Sequence, residues 1–342
     1  MRALVKRAPG SAPRLEELPD PAPAPGEALI AVRAAGICGT DLHILDDVYP
    51  HAEPLIPGHE FAGEIVGIGA GVEDWQPGDR VVGELHTGAC LSCETCRAGN
   101  PQICPVKRAL GTWTDGAFAE LMTIPAWLLH RIPAALSDAA ATLIEPTACA
   151  WHAMFERTRM DPGDSVLIAG HGPLGLLSGH LATLRGARQV IVVGRSRHGA
   201  ARLDSARELG FEVLDESTQD VRAVVAQLTD HRGVDLAVET AGSERALATC
   251  VHCCRPGGRV AVLGLSGSQT VPLAWDWALQ RDLDLAFSFS SNSSSWESVI
   301  ALADSTGLPF GSLVSHVLEL ERWADGFEAA RSGNAVKVVL TP

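Results

Sequence analysis

The chain has 342 residues, of which 46% are hydrophobic and 20% are charged, and its formal net charge at pH 7 is −14. This length and composition predict a folded α/β protein of two domains and exclude a disordered chain. The negative charge, without a basic cluster, argues against nucleic acid or an anionic membrane as the main partner, and no apolar run is long enough to predict a membrane span. The opening stretch "MRALVKRAPG" has neither the apolar segment nor the cleavage site of a signal peptide, so we expect a cytoplasmic protein that acts on a small molecule.

The first segments with metal-ligating side chains are "GICGTDLHI" (36–44) and "IPGHEFAG" (56–63). One thiolate, one imidazole and a carboxylate would leave a coordination position open, as catalytic zinc requires. Taken singly, each residue has an ordinary structural role, but tight Gly and Pro turns surround them, and functional groups tend to lie on such turns. The candidate ligands are Cys38, His59, Glu60 and, from the later segment "LIEPTACAWHA", Glu145.

Four cysteines lie close together in "CLSCETCRAGNPQIC" (90–104). A disulfide framework would not persist in a reducing cytosol, so the spacing favours metal binding. Four thiolates complete the tetrahedral shell of zinc and leave no position for substrate, so the predicted role is structural. An iron–sulfur cluster is an alternative, although the spacing matches the ferredoxin patterns poorly. The predicted ligands are Cys90, Cys93, Cys96 and Cys104.

A nucleotide-binding pattern begins at the apolar segment "SVLIAG" (165–170) and continues as "GHGPLGLLSGHLATLRGA". Gly170, Gly172 and Gly175 form GxGxxG at the start of an apolar helix, and "QVIVVG" (189–194) follows as a second strand. Such glycines allow a pyrophosphate to approach the backbone at a helix N-terminus. Further strand patterns, "GVDLAVETAG" and "GGRVAVLGLSG", predict a doubly wound parallel sheet.

Taken together, these motifs identify a family resemblance that covers nearly the whole chain. The motifs "CGTDLH", "PGHEFAGEIVGIG", the four-cysteine loop, "DGAFAE", "EPTACAWHA" and "GHGPLG" occur in the family's order and roughly its spacing. The chain resembles zinc-containing members of the medium-chain dehydrogenase/reductase superfamily, in the neighbourhood of threonine, sorbitol and butanediol dehydrogenases.

The resemblance implies an α/β protein with a GroES-like, mostly β catalytic domain and a Rossmann domain. The catalytic domain would comprise residues 1–147 and 293–342, and the Rossmann domain residues 148–292. It also implies two zinc ions per subunit, one catalytic and one structural. The implied reaction is reversible hydride transfer between a secondary alcohol and a nicotinamide, aided by zinc that lowers the pKa of the alcohol.

Catalytic roles are carried over by matching positions. Cys38 and His59 resemble zinc ligands, and Glu60 and Glu145 resemble carboxylates that share the remaining coordination. Thr40 resembles the hydroxyl that takes the alcohol proton, and His43 resembles the next member of the relay. Cys149 is an alternative ligand one helical turn after Glu145. We expect Asp41 to cap a helix and the cysteines of "ATCVHCCRPGG" to pack in the core.

Cofactor choice is predicted from the end of the second strand. An NAD enzyme usually carries an acidic residue there, whereas this chain has Gly194 followed by Arg195, Ser196 and Arg197. The missing carboxylate removes repulsion, and arginines can bind a 2′-phosphate, so NADP is favoured over NAD. Exposed arginines that merely solubilise the turn are the alternative, and the stretch that follows is a few residues longer than the family norm.

Other cofactor contacts follow from the resemblance alone. The segment "DLDLAFSF" (282–289) could also pair edge to edge with a second subunit, so a homodimer or homotetramer is expected, and "AVKVVLTP" is expected to return as a strand. The residues that resemble cofactor contacts are Leu174, Leu263, Gly264, Leu265, Phe287, Ser288 and Phe289.

The substrate class predicted from the resemblance is a polyol, a sugar alcohol or a vicinal diol. Polar candidates for lining the site are His51, Glu53, Trp113 and Thr114. L-Threonine is the alternative, because "GTDLHI" is close to the motif of threonine dehydrogenases. A hypothesis from another class is a zinc protein of the same fold that has lost turnover.

Overall fold

The strands differ in how far they are buried: Ser165–Ala169 is buried throughout, whereas partly buried and exposed residues alternate along Val314–Glu319. The computed structural model describes residues 1–306 and 308–342 of the chain. The strands are β1 (Arg2–Val5), β2 (Arg14–Glu17), β3 (Glu27–Gly36), β4 (Glu60–Ile68), β5 (Arg80–Gly83), β6 (Leu121–Pro125), β7 (Leu129–Arg131), β8 (Ser165–Ala169), β9 (Gln189–Gly194), β10 (Glu212–Asp215), β11 (Val234–Glu239), β12 (Cys254–Val262), β13 (Asp284–Phe287), β14 (Val314–Glu319) and β15 (Lys337–Thr341).

The helices begin at residues that favour helix starts. Pro173 occupies the first turn of its helix, and the side chains of Asp220 and Ser243 accept backbone N–H groups at two other helix starts. The helices are α1 (Gly39–Leu45), α2 (Glu94–Arg97), α3 (Asp138–Ala141), α4 (Ile144–Trp151), α5 (Pro173–Leu184), α6 (Ala200–Glu208), α7 (Val221–Leu228), α8 (Glu244–Cys253), α9 (Trp275–Gln280), α10 (Ser293–Thr306), α11 (Phe310–Leu313) and α12 (Trp323–Ser332). Within residues 1–306 and 308–342, no helix has both the length and the apolar character to cross a membrane.

The chain divides into two compact units. One comprises residues 1–145, 292–331 and 337–342, and the other comprises residues 146–291 and 332–336. We call them the β unit and the Rossmann unit.

The β unit is built on a seven-stranded sheet. Its strand order is β14-β15-β3-β4-β5-β7, and β6 also pairs with β3. The pairs are antiparallel except for β14 with β15. The final strand β15 therefore lies beside β3, which places the carboxy-terminal segment next to the start of α1.

The Rossmann unit contains one six-stranded parallel sheet in the order β10-β9-β8-β11-β12-β13. The order reverses between β8 and β11, as in dinucleotide-binding folds. Strand β8 is buried along its whole length, as expected for a parallel strand covered on both faces. In this unit the buried Cys250, Cys253 and Cys254 belong to the hydrophobic core, as predicted.

Candidate metal centres and cofactor site

Cys38 lies at the residue that caps the start of α1, immediately after β3. The carboxylate of Asp41, three residues later, accepts the backbone N–H of Cys38 at 2.8 Å. This bond satisfies a donor that a helix start would otherwise leave unpaired. It confirms that Asp41 caps the helix, and it holds the thiol at the first turn.

His59 and Glu60 reach the same place through strand pairing. Glu60 opens β4 and lies opposite Gly36 of β3, two residues before Cys38. As a result, ligand atoms of Cys38, His59 and Glu60 all lie within 4.8 Å of one another. Two segments far apart in the sequence therefore meet at one group of metal-binding side chains.

Asp41 also faces the histidine of this group. Its Oδ1 lies 3.4 Å from Nδ1 of His59, without the geometry of a hydrogen bond, and it accepts the N–H of Gly58 at 3.3 Å. Burial lowers the pKa of His59, but Asp41 and Cys38 outweigh it and raise the pKa well above the ordinary value. Burial likewise raises the pKa of Cys38, yet His59 and Lys337 bring it below the usual range, which favours the thiolate that a metal needs.

Glu60 forms a buried ion pair with Lys337 of β15. The ammonium also donates to the carbonyl of Ile37 at 3.1 Å, and burial lowers its pKa to about 8, although Cys38 and Asp41 oppose that shift. Gly36 provides the room, since a Cβ there would lie 2.4 Å from Oε2 of Glu60 and 2.7 Å from Cε of Lys337. Sequence reasoning gave Lys337 no role; the available signal was a single charge in the apolar run "AVKVVL".

This donor set fits a catalytic zinc ion. A thiolate, an imidazole and a carboxylate match the ligands of catalytic sites that keep one position open. The Thr40 hydroxyl lies 3.8 Å from the Cys38 sulfur, and His43 lies one turn further along α1. Thr40 and His43 therefore both lie on the helix whose start Cys38 caps.

The fourth predicted ligand, Glu145, lies outside this group. Glu145 and Cys149 are one turn apart in α4, which is helical as expected. Glu145 is buried and Cys149 is partly exposed. That Glu60, Glu145 or Cys149 would complete a zinc shell stays a prediction.

The four cysteines of residues 90–104 bring their sulfur atoms within 4.8 Å of one another. Cys104 Sγ lies 3.7 Å from Cys90 Sγ and 3.9 Å from Cys93 Sγ. Sulfur atoms at the corners of a zinc tetrahedron are about 3.8 Å apart when each Zn–S bond is about 2.3 Å, whereas a disulfide needs about 2.05 Å. The spacing therefore fits four thiolates around zinc.

Hydrogen bonds lower the pKa of two of the four thiols, whereas burial and the neighbouring thiols raise the pKa of Cys96 to about 12. Hydrogen bonds from the backbone of Ser92 and Cys93 lower the pKa of Cys90 to about 6. The side chain of Thr95 and the backbone of Cys96 lower the pKa of Cys93. Two thiolates with donors already in place are typical of a metal site, because the metal ligand is the ionised form.

A third group, Asp47, His51 and Glu53, also has its ligand atoms within 4.8 Å of one another. Here the buried ammonium of Lys6 supplies the positive charge, 2.7 Å from Asp47 and 3.9 Å from Glu53. His51 bonds Glu53 at 3.1 Å. Because the carboxylates are already compensated, we interpret this group as a structural cluster, and both His51 and Glu53 belong to it.

Sequence reasoning also missed a buried triad at the end of β5. Glu84 accepts a hydrogen bond from His130 at 2.9 Å and lies 3.2 Å from Nε2 of His86. Burial opposes ionisation of Glu84, but the two histidines lower its pKa to about 2. The ring of His130 stacks on Trp296 at 5.4 Å. The polar pair that follows the apolar end of β5 in "VVGELH" was the available signal.

The glycine-rich turn lies between β8 and α5 in the Rossmann unit. A Cβ at Gly175 would lie 2.0 Å from the Gly170 carbonyl oxygen, so only glycine allows this approach of helix to strand. A Cβ at Gly172 would meet nothing within 4 Å. Gly172 caps α5, so open space lies before the helix N-terminus, where a pyrophosphate fits.

Gly194 ends β9 and pairs with Asp215 of β10. Arg195 Nε is buried without a hydrogen-bond partner in the described structure and lies 4.0 Å from Glu216. Asp215 accepts the N–H of Ser196 at 3.2 Å. Arg197 is exposed.

The other predicted cofactor contacts lie at or beyond the carboxyl ends of strands or at the start of α5. Leu174 is in the first turn of α5, and residues 263–265 follow β12. Phe287 and Phe289 are 67% and 44% exposed, and the hydroxyl of Ser288 between them is buried without a partner among the described residues. Cofactors bind at this edge of a doubly wound sheet.

Known proteins resemble this chain in both sequence and fold. The model of the alcohol dehydrogenase GroES-like domain matches residues 24–134, and the model of the zinc-binding dehydrogenase family matches residues 173–305. The sorbitol dehydrogenase of Halalkalibacterium halodurans is 34% identical over 100% of this chain and 99% of its own length. The L-threonine 3-dehydrogenase of Rhizobium etli is 33% identical over 99% of this chain and 98% of its own length.

One solved structure adds a bound cofactor. A protein of Sinorhizobium meliloti 1021, described as a zinc-binding dehydrogenase and bound to NADP, superposes with a TM-score of 0.90 at 30% identity, over 100% of this chain and 99% of its own. The predicted fold class and family are confirmed. The chain therefore belongs to the zinc-containing medium-chain dehydrogenase/reductase superfamily and is an enzyme of the zinc-dependent alcohol dehydrogenase class.

Proposed function

We propose that this enzyme interconverts a secondary alcohol and its ketone, with a polyol, a sugar alcohol or a vicinal diol as substrate. The observation that carries the proposal is the group of Cys38, His59 and Glu60 with the Thr40 hydroxyl 3.8 Å from the thiol. The name of the Halalkalibacterium halodurans relative, sorbitol dehydrogenase, supports the polyol class. Residues 1–147 and 293–342 are proposed as the catalytic domain, and 148–292 as the cofactor domain.

The catalytic residues have distinct tasks. Cys38, His59 and one or both of Glu60 and Glu145 would hold the catalytic zinc, which when bound supplies a Lewis acid that lowers the pKa of an alcohol. The Thr40 hydroxyl accepts the alcohol proton and donates its own to the next group. His43 passes that proton to solvent, a task suited to an imidazole near neutral pH.

Two other buried charges position these groups. Asp41 holds the Cys38 backbone and faces Nδ1 of His59, which leaves the other ring nitrogen for the metal. Lys337 holds the carboxylate of Glu60. Glu60 and Glu145 are the carboxylates that would share the remaining coordination.

NADP is the proposed cofactor in preference to NAD. Strand β9 ends in Gly194 and so carries no acidic side chain at that position, and Arg195 follows with its Nε 4.0 Å from Glu216 and without a hydrogen-bond partner among the described residues. A 2′-phosphate would gain a charge-assisted bond from such a guanidinium. The NADP bound to the Sinorhizobium meliloti neighbour supports this preference. The phosphate turn of Gly170, Gly172, Leu174 and Gly175 would hold the pyrophosphate.

A second zinc ion is proposed at Cys90, Cys93, Cys96 and Cys104, with a structural role.

We also propose a homodimer or homotetramer. Strand β13 pairs with β12 on one side only, as far as the described residues show, and Phe287 on it is 67% exposed. No disulfide joins any of the cysteines, all of which lie in the described part of the chain, which suits the proposed cytoplasmic location.

The test is the initial rate of cofactor reduction by zinc-replete protein, with NAD and with NADP, across polyols, vicinal diols, simple secondary alcohols and L-threonine. Turnover of a polyol or diol, faster with NADP, is the expected result. Turnover of simple secondary alcohols alone contradicts the substrate class, and preference for NAD contradicts the cofactor assignment.

L-Threonine is the second candidate substrate, because the Rhizobium etli relative is named L-threonine 3-dehydrogenase. Turnover of L-threonine but not of polyols selects it. The remaining alternative is a zinc protein without turnover. That alternative would be favoured if the protein contained its full zinc and bound the cofactors but reduced neither of them with any substrate of the panel.

A further inference from the structure

The imidazole of His171 lies directly against Gly194. His171 is the residue between the first two glycines of the phosphate turn, and Gly194 ends the neighbouring strand β9. A Cβ built at Gly194 would lie 2.5 Å from Cγ and 2.7 Å from Nδ1 of His171. These atoms belong to a rigid ring close to its own backbone, so any side chain at position 194 requires the ring to move.

Position 194 is where an NAD enzyme carries its acidic residue. Gly194 belongs to a regular strand, so the backbone itself would accept another amino acid. A Cβ there would also lie 2.6 Å from Cδ2 of Leu203, but that atom is the end of a flexible side chain that can rotate away. The ring of His171 is therefore the main obstacle to a carboxylate at this position.

The charges around the imidazole come from three elements. Burial, the largest influence, acts with Arg202 of α6 and His198 before it to lower the pKa of His171 to about 4, against the opposing effects of Asp215 of β10 and a backbone hydrogen bond of His198. At neutral pH the ring is therefore uncharged. Its Nε2 is buried and has no hydrogen-bond partner among the described residues. The position of the acid of an NAD site is thus filled by a neutral ring, while the carboxylate of Asp215 lies on the neighbouring strand β10.

We propose that His171 is a specificity-determining residue for the cofactor, because its imidazole occupies the space that a carboxylate at position 194 would need. The neutral ring adds no negative charge of its own at the end of β9, where Asp215 accepts the N–H of Ser196 at 3.2 Å and Glu216 lies 4.0 Å from Nε of Arg195. This role of His171 extends the proposed preference for NADP. The expected direction of the change in cofactor affinity rests on that proposed preference. This role also implies that Gly194 and His171 act as a pair, so that a single substitution would not convert the site.

The experiment compares four full-length, zinc-replete proteins: the parent, Gly194→Asp, His171→Ala and the double variant. For each, the Kd of NAD and of NADP is measured by tryptophan fluorescence, and the thermal midpoint is recorded without cofactor. Binding and unfolding report on the pocket independently of turnover. Leu203 is present in all four proteins, so its contribution cancels in the comparison.

The expected result is strong coupling between the two positions. With His171 present, Gly194→Asp lowers the thermal midpoint and gains little affinity for NAD. In the His171→Ala background, Gly194→Asp tightens NAD binding and weakens NADP binding, each by about tenfold or more, the size of one hydrogen bond to a charged group. Gly194→Ala, a smaller change, should also lower the thermal midpoint more with His171 present than without it.

Equal effects of Gly194→Asp in both backgrounds would overturn the inference, because the ring would then not control the space. The parent's own cofactor preference separates this failure from failure of the proposed function. A parent that binds NAD more tightly than NADP contradicts the NADP assignment, while the coupling between positions 171 and 194 is still read from the same titrations. If Gly194→Asp does not fold with His171 present but folds in the double variant, the steric inference is supported.

Discussion

The carboxylate of Glu60 and the ammonium of Lys337 form an ion pair in which both side chains are almost completely shielded from solvent, at 2% and 1% exposure. Glu60 comes from β4 and Lys337 from β15, and each of these strands pairs with β3 at or near Gly36. The pair joins a proposed zinc ligand to the last strand of the β unit. Burial of two charges is costly unless each compensates the other.

Replacement of Lys337 by Met should destabilise the β unit by about 3–5 kcal/mol, because the Glu60 carboxylate is left buried without its partner. The measurement is the urea midpoint of zinc-replete protein by circular dichroism. The double variant Glu60→Gln/Lys337→Met should recover much of the loss. Arg322→Met is the control, since Arg322 and Asp325 form an exposed pair worth less than about 1 kcal/mol. Equal effects of the Lys337 and Arg322 changes would refute the argument.

Asp41→Asn should weaken zinc binding at the catalytic site by about 10- to 100-fold, as loss of a group that orients a metal-bound histidine typically does. Asp41 is fully buried and faces both Cys38 and His59. Zinc affinity is measured by competition with a chromophoric chelator, and the control is Asp46→Asn in the exposed pair with Arg331. Unchanged zinc affinity in the Asp41 variant would show that the carboxylate only caps the helix.

Cys93→Ser should lower the zinc content from two ions per chain to about one and reduce stability. The sulfur of Cys93 lies 3.9 Å from that of Cys104, at the spacing of a zinc tetrahedron. With free zinc at 100 times Kd, loss of the bound ion alone removes about 2.7 kcal/mol. Metal analysis and thermal unfolding are compared with those of Cys253→Ser, a core cysteine. A variant that keeps both zinc ions and its midpoint would contradict the structural site.

Thr40→Val should lower kcat by about 10²- to 10⁴-fold, the usual range for loss of a proton-transfer group. Cofactor Kd and zinc content should stay unchanged, because Thr40 is proposed only to carry the alcohol proton. Thr218→Val, an exposed threonine of the Rossmann unit, is the matched control. A kcat within a few-fold of the parent would remove Thr40 from the relay.

The buried His171 should make stability depend on pH between about 6.5 and 4. Its pKa is about 4 in the folded chain, against an ordinary value of 6.5, so in this window the unfolded chain binds the extra proton. Stability from this group is therefore fully present above pH 6.5 and is lost as the pH falls to about 4, by on the order of 3 kcal/mol. Urea midpoints at pH 7 and pH 4.5 should differ less for His171→Ala than for the parent. The same pH dependence in both proteins would show that other groups cause it.

Local pattern was enough to predict several parts of the molecule. The second strand of the nucleotide-binding pattern, residues 189–194, matches β9. A short run of buried β-branched residues between turns rarely forms any other secondary structure. The cysteine spacing of residues 90–104 likewise predicted a group that the structure brings together. In both cases the informative residues are close in sequence.

The contacts of Glu60 with Lys337 and of His171 with Gly194 could not be predicted from local sequence patterns. Lys337 reaches Glu60 across 277 positions, and His171 reaches Gly194 across a strand and a helix. Neither contact can be predicted from a regular spacing in the sequence, because the partners are brought together only by the way the strands pair.

The sequence by itself determined the family, and it predicted the four-cysteine group and the phosphate turn, because each of these depends on residue types at short, regular spacing. Only the tertiary structure decided which buried charges compensate the proposed zinc ligands and which ring occupies the place of the missing acid. Those relationships depend on strand pairing, and pairing depends on how the whole apolar surface is buried.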